Sequence, residues 1–141
     1  MRKIGLDVGD RTIGIAVSDP LGITAQGITI LERVGIRKDT GKVIDYIKEY
    51  DCDTVVIGLP LNMDGSDSEQ TEKVREFRTM LENKMRSTGM KGIGVVWQDE
   101  RLTTVQAERV MIDANVSRKK RKQVIDKQAA VIILQTKLDS M

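Results

Sequence analysis

Asp7, Asp126 and the Asp99-Glu100 pair are the positions at which this chain could do chemistry. Ile4, Leu6 and Val8 alternate with Gly5, Asp7 and Gly9, so Asp7 sits on one face of a strand with only glycine at i−2 and i+2. The next alternating run places Gly14, Ala16 and Ser18 beside it. A carboxylate on a floor of small residues is well placed to meet a metal ion or a bulky ligand. The same pattern suits an aspartate that caps the hairpin turn, with the glycines serving the backbone. Asp126 falls inside a helical segment and shares its face with Ala129, Ala130 and Ile133 by helical spacing. A carboxylate on an apolar helix face is costly unless paired or metal-bound, and the small alanines let such a helix approach a sheet closely. An intrahelical pair with Lys122 is the alternative. Asp99-Glu100 ends a strand and precedes a helix, where ligand sites of open α/β sheets collect, although acids at a helix start also complement its dipole. Taken together, the three sites predict carboxylates converging on a divalent metal.

Two further segments favour an anionic partner. Arg118-Lys119-Lys120-Arg121-Lys122 occupies the first turns of the last predicted helix, where positive charge opposes the macrodipole. Phosphate binding accounts for the run and for its closeness to Asp126, whereas a solvated charged face is the plainer reading. Asn62-Met63-Asp64-Gly65-Ser66 follows a strand and opens a helix, so its backbone amides could hold phosphate or form an ordinary loop.

Composition removes most other chemistry. The 141 residues contain no histidine, which excludes Ser-His-Asp and Cys-His catalysis and imidazole zinc sites. The single cysteine, Cys52, makes no internal disulfide and points to a reducing, cytoplasmic setting. Aromatic residues are 3%, too few for base-stacking platforms. Hydrophobic residues at 40% and charged residues at 31% fit a folded globular chain. No apolar run reaches the roughly 20 residues of a membrane span, and the start lacks a secretory signal. The net charge of +2 permits an anionic partner without demanding one.

The elements that must position these residues follow from periodicity. Two alternating runs around Gly9-Asp10-Arg11 predict a β-hairpin, and a third strand over 23–31 completes an antiparallel meander. Helical spacing of Val43, Ile44 and Ile47 is followed by a β-branched strand over 54–59. Ser66 with Glu69 predicts a capping box before a helix bearing Val74, Phe77 and Leu81. A strand over 93–97, a helix capped by Thr103 with Gln106, and a final helix over 118–138 capped by Ser117 complete the order βββ-α-β-α-β-α-α. That order predicts one α/β domain over 1–141, with a mixed five-stranded sheet and helices on both faces.

The motifs resemble the YqgF/RuvX family, whose members are described as pre-16S rRNA nucleases and as Holliday-junction-resolvase-like. The resemblance runs through Gly5-Leu6-Asp7-Val8-Gly9, Ile13-Gly14-Ile15-Ala16-Val17-Ser18-Asp19 and Gly58-Leu59-Pro60-Leu61-Asn62-Met63-Asp64-Gly65-Ser66. It continues through Asp99-Glu100-Arg101-Leu102-Thr103-Thr104, then Arg121-Lys122 and Asp126 to Ala129-Ala130 and Ile133-Leu134-Gln135, and so spans nearly the whole chain in order. It implies a ribonuclease-H-like fold, catalytic and metal-binding acids at Asp7, Glu100 and Asp126 with Asp99 as a further contributor, and Mg²⁺ or Mn²⁺ as cofactor. It also implies nucleic-acid contacts by Arg101 and the basic turn of Arg118, Lys119, Lys120, Arg121 and Lys122, to which the place of Asn62 before a helix adds a further candidate contact. The partner is then precursor rRNA, in a ribosomal particle or free, or branched DNA, bound by a monomer or a homodimer. Many members carry arginine before the Ile-Gly step where this chain has Thr12, with Arg11 one place earlier. The expected activity is metal-dependent phosphodiester hydrolysis, with a non-catalytic binding module as the alternative.

Overall fold

The computed structural model describes the backbone of residues 1–141 and every side chain except those of residues 102–106 and 126. Nine elements follow in order: β1 (Arg2–Val8), β2 (Thr12–Ser18), β3 (Ala25–Glu32), α1 (Ile36–Glu49), β4 (Cys52–Leu59), α2 (Glu69–Ser87), β5 (Gly94–Asp99), α3 (Glu100–Asp113) and α4 (Arg118–Ser140). This is the predicted order. The strands form one sheet, β3-β2-β1-β4-β5, with β1, β2 and β3 antiparallel and β4 and β5 added parallel to β1.

Period-two alternation decides what each face buries. Ile4, Leu6 and Val8 of β1, Ile13, Ile15 and Val17 of β2, and Val55 and Ile57 of β4 point to the larger core. Val43, Ile44 and Ile47 of α1 and Val74, Phe77, Leu81 and Met85 of α2 close it. On the opposite face the sheet offers small residues, and α4 lies over them through Ala130, Ile133, Leu134 and Leu138, packed with Ala16 and Val56. Helices therefore cover both faces.

The close approach of α4 has a specific cause. A methyl group built on Gly5 would lie 2.6 Å from Leu134 Cβ and 3.1 Å from the Ala130 carbonyl oxygen, and one on Gly14 would lie 3.3 Å from Ala130 Cβ. The glycines that leave Asp7 uncrowded also set how near the helix comes.

Several expected boundaries shift, the main ones for local reasons. β3 starts at Ala25 because Asp19 Oδ1 accepts hydrogen bonds from the amides of Ile23 (2.7 Å) and Thr24 (2.8 Å), which extends the turn. The cap of α2 is Ser68 with Thr71, not Ser66 with Glu69. Ser66 is already used by the preceding loop, where its amide and hydroxyl donate to Asp64 Oδ1. An antiparallel bridge between Leu61 and Asp67 closes that loop, so the helix starts only beyond it. β5 runs on to Asp99, and α3 begins at Glu100 with Asp99 as its cap, not at Thr103. Ser117 does cap α4, accepting from the Lys120 amide.

Candidate active site

Register brings the first two acids together. Asp7 pairs with Gly14 across the hairpin. The parallel ladder pairs Leu6 with Ile57, so Asp7 runs alongside Gly58 at the carboxyl end of β4. Glu100 opens α3 directly after β5, whose Asp99 pairs with Leu59. Its side chain reaches back over the sheet: a methyl group on Gly58 would lie 2.9 Å from both the Glu100 carboxyl carbon and Oε1. Asp7 and Glu100 thus lie over adjoining strand ends on a floor of glycine.

Electrostatics records their nearness. Burial pushes the Glu100 carboxyl up from 4.5 to about 7, and the negative charges of Asp7 and Asp99 add to the shift. Desolvation and neighbouring carboxylates disfavour the charged form of Glu100, the kind of perturbation that clusters at functional sites. The donor set is all oxygen, which suits a hard divalent ion such as Mg²⁺ or Mn²⁺. Among the described residues no group of three or more candidate ligands comes together. The side chain of Asp126, the third predicted acid, lies outside the described residues; its helix packs onto the sheet through Ala130 and Ile133, four and seven positions on.

Asp99 and Arg101 are bound to each other. Arg101 Nε and Nη2 donate to the Asp99 carboxylate at 3.0 and 2.6 Å, and the Arg101 amide donates to Asp99 Oδ1 at 2.9 Å. These bonds hold the Asp99 carboxyl below its ordinary range. Arg101 Nη1 also donates to the Met63 carbonyl at 3.3 Å, and a methyl on Gly65 would lie 3.1 Å from that nitrogen. The guanidinium therefore ties the β4–α2 loop to the start of α3. Asn62 serves the same loop: its side-chain amide donates to Ser66 Oγ and to the Asp67 carbonyl.

The basic turn divides in two. Arg118, Lys119, Lys120 and Lys122 are exposed. Arg121 is half-buried, with Nη1 donating to the Val116 carbonyl at 2.8 Å and a buried Nε that has no hydrogen-bond partner among the described residues. Arg11 is exposed, and its carbonyl accepts from the Arg33 amide at 2.8 Å, which closes the hairpin against β3.

Sequence reasoning did not single out the roles of Gly58 and Gly65, which make room for Glu100 and Arg101. The readable signal was a glycine ending the otherwise β-branched run Thr54-Val55-Val56-Ile57.

A family model described as RuvX, Holliday junction resolvase, matches residues 1–140. A protein of Clostridium novyi named "Putative pre-16S rRNA nuclease" is 50% identical over 141 residues, with all of both chains covered. One of the same name from Clostridium tetani is 48% identical over all of this chain and 98% of its own. Among solved structures, Thermus thermophilus RuvC in complex with a Holliday junction substrate matches with a TM-score of 0.65 at 15% identity, covering 99% of this chain and 94% of that one. The fowlpox virus Holliday junction resolvase matches with a TM-score of 0.55 at 14% identity, covering 99% of each. At these identities the structural likeness concerns the fold, which is ribonuclease-H-like as the sequence motifs implied.

Proposed function

The chain belongs to the RuvX family, and from that membership and its paired carboxylates we propose a metal-dependent nuclease that trims the ends of pre-16S rRNA. The observation that carries this reading is the convergence of Asp7 and Glu100 over Gly58, with Glu100 raised to about 7 by burial and by Asp7. Binding an anionic strand for its own sake gains nothing from concentrated negative charge, so the cluster argues for a cation and for catalysis.

In this reading Asp7, Glu100 and, from its place in the sequence, Asp126 hold one or two Mg²⁺ or Mn²⁺ ions. Held there, such an ion would supply Lewis-acid chemistry, a lowered pKa for the attacking water and charge stabilisation for the leaving oxygen. The reaction adds water across one P–O bond, leaving a phosphate monoester on one product and a hydroxyl on the other. Asp7 and Glu100 fix where the scissile phosphate meets the sheet, Asp7 held by strand register and Glu100 by its place at the start of α3, directly after β5. Arg101 keeps the loop at residues 62–67 against the site. The exposed cations of the α4 turn hold the backbone by charge, a contact that reads shape and not sequence.

Branched DNA is the second reading, favoured by the fold shared with two junction resolvases. A resolvase acts on a two-fold junction and calls for a symmetric dimer. The deciding experiment incubates the protein with end-labelled precursor-type RNA and, separately, a four-way DNA junction, comparing Mg²⁺ or Mn²⁺ with EDTA. Metal-dependent trimming of the RNA, abolished in a folded Asp7→Asn variant, is the expected result. Paired symmetric nicks in the junction would favour the resolvase. Full activity in folded Asp7→Asn would sink both.

A further inference from the structure

We infer that the cleft between β3 and α4 is a subsite for the sugar or base next to the scissile phosphate, an inference that rests on the nuclease reading above. Pairing register lines Asp7, Gly14 and Ile30 in one row across β1, β2 and β3. With strands about 4.8 Å apart, Ile30 lies about 10 Å from Asp7 along that row. The row belongs to the α4 face, since a methyl on Gly14 would touch both Ala130 Cβ and, at 3.6 Å, Asp7 Cβ. Yet Ile30 is 52% exposed, because α4 passes over Gly14 and leaves the edge strand open.

Gly27 keeps this cleft open. The register of β2 and β3 slips between Ile15 and Ala16, so Gly27 opposes Ala16, Thr29 opposes Ile15, and Ile28 turns into the opposite core. The Gly27 backbone is not in the left-handed region, and a methyl there would meet only Val131 Cγ2, at an ordinary 3.4 Å. Neither backbone geometry nor helix packing demands glycine at this position. About 230 Å³ of space lies here, lined among others by Gly14, Gly27, Thr29, Ile30, Val131 and Lys127. That is below the roughly 300–1,000 Å³ of pockets that bury drug-sized ligands, so it fits one ring or sugar and not a stacked pair.

Charge and continuity name the occupant. The cleft ends at Gly14, the register partner of Asp7, and its rim carries the exposed Lys127, on the same helix as the basic turn. A polynucleotide strand entering the site lays one apolar ring face on Ile30 and the glycines, with the adjoining phosphate on Lys127.

The test uses the full chain and whichever of the two labelled substrates above the wild type cleaves, intact or with one abasic nucleotide on either side of the mapped cleavage site. Gly27→Val, Ile30→Asp and Lys127→Gln are compared with wild type for KM, kcat and, in EDTA, binding by fluorescence anisotropy. Melting temperature verifies folding, and the exposed Ile30→Asp serves should Gly27→Val not fold. Expected are a KM raised about tenfold by Gly27→Val and Ile30→Asp with kcat little changed, and a similar loss for wild type on one abasic substrate. The variants should not suffer that second loss. Folded variants matching wild type in KM and binding, or losing as much again on the abasic substrate, overturn the subsite while the nuclease reading stands. A wild type that neither binds nor cleaves overturns that reading and the subsite with it.

Discussion

Glu100 ties its proton to the fold. Burial and the Asp7 charge raise it from 4.5 to about 7 in the folded chain, so between those values the metal-free native state holds a proton that the unfolded chain has lost. The sign follows: the stability linked to this proton is full below 4.5 and is lost as pH rises through about 7. The shift corresponds to at most roughly 3 kcal/mol. In EDTA, Glu100→Gln should therefore be more stable than wild type above pH 7, and denaturant midpoints of the two should converge at acidic pH. A constant difference across the range would overturn this account. Asp99 runs the other way, since Arg101 lowers it and its share of stability is lost only as pH falls. Gly58 offers a second residue-scale test. A methyl there meets Ile133 Cδ1 at 2.6 Å and the Glu100 carboxyl at 2.9 Å, both flexible side-chain ends. Gly58→Ala should cost little stability, under about 1 kcal/mol, while displacing Glu100 and cutting metal-dependent cleavage at least about tenfold. Unchanged cleavage would mean that Glu100 need not sit where it does.

At the scale of elements, the decisive contact is between α4 and the middle of the sheet. A methyl on Gly5 would sit 2.6 Å from Leu134 Cβ and 3.1 Å from a backbone oxygen, neither of which a rotamer change can move. Gly5→Ala should force α4 outward, lowering stability by roughly 1–3 kcal/mol in urea unfolding and weakening cleavage with it, because α4 carries Asp126. Wild-type stability would refute the packing argument. This contact also explains what could be read in advance. Strands β1, β2 and β4 and their faces were legible because strict alternation and β-branched runs have one solution in a buried sheet. The small-residue face opposite the core was legible too, and with it the bare floor around Asp7. The start of α4 at Ser117 was legible as well, but the starts of α2 and α3 were not. Ser66 and Thr103 matched a capping pattern, but the pattern does not reveal that Asp64 engages Ser66 or that β5 turns directly into a helix at Asp99. Both are settled by contacts made across the loop. The Asp99–Arg101 fork likewise needed the geometry of the strand-to-helix corner, which spacing alone does not contain.

For the molecule as a whole, the net charge of +2 is too small to attract a polyanion by itself, so any attraction must come from where the charges sit. The densest run is the first turns of α4, where Arg118, Lys119, Lys120 and Lys122 are exposed at the end of the helix that disfavours them. Replacing these four by glutamine separates stability from function, because the two effects have opposite signs. Relief of the dipole and of like-charge repulsion should stabilise the fold slightly, by a few tenths of a kcal/mol per residue. RNA binding should weaken, and the slope of log affinity against log salt should become shallower by about 0.7 for each residue that touches phosphate, up to about 2.8 for all four. Arg121 is left in place, since its bond to the Val116 carbonyl anchors the turn. Measured by anisotropy with single-stranded RNA over a salt series, an unchanged slope would move the strand away from α4. A shallower slope in a more stable protein would mean that these cations are kept for the strand, at a small cost to the helix that carries them.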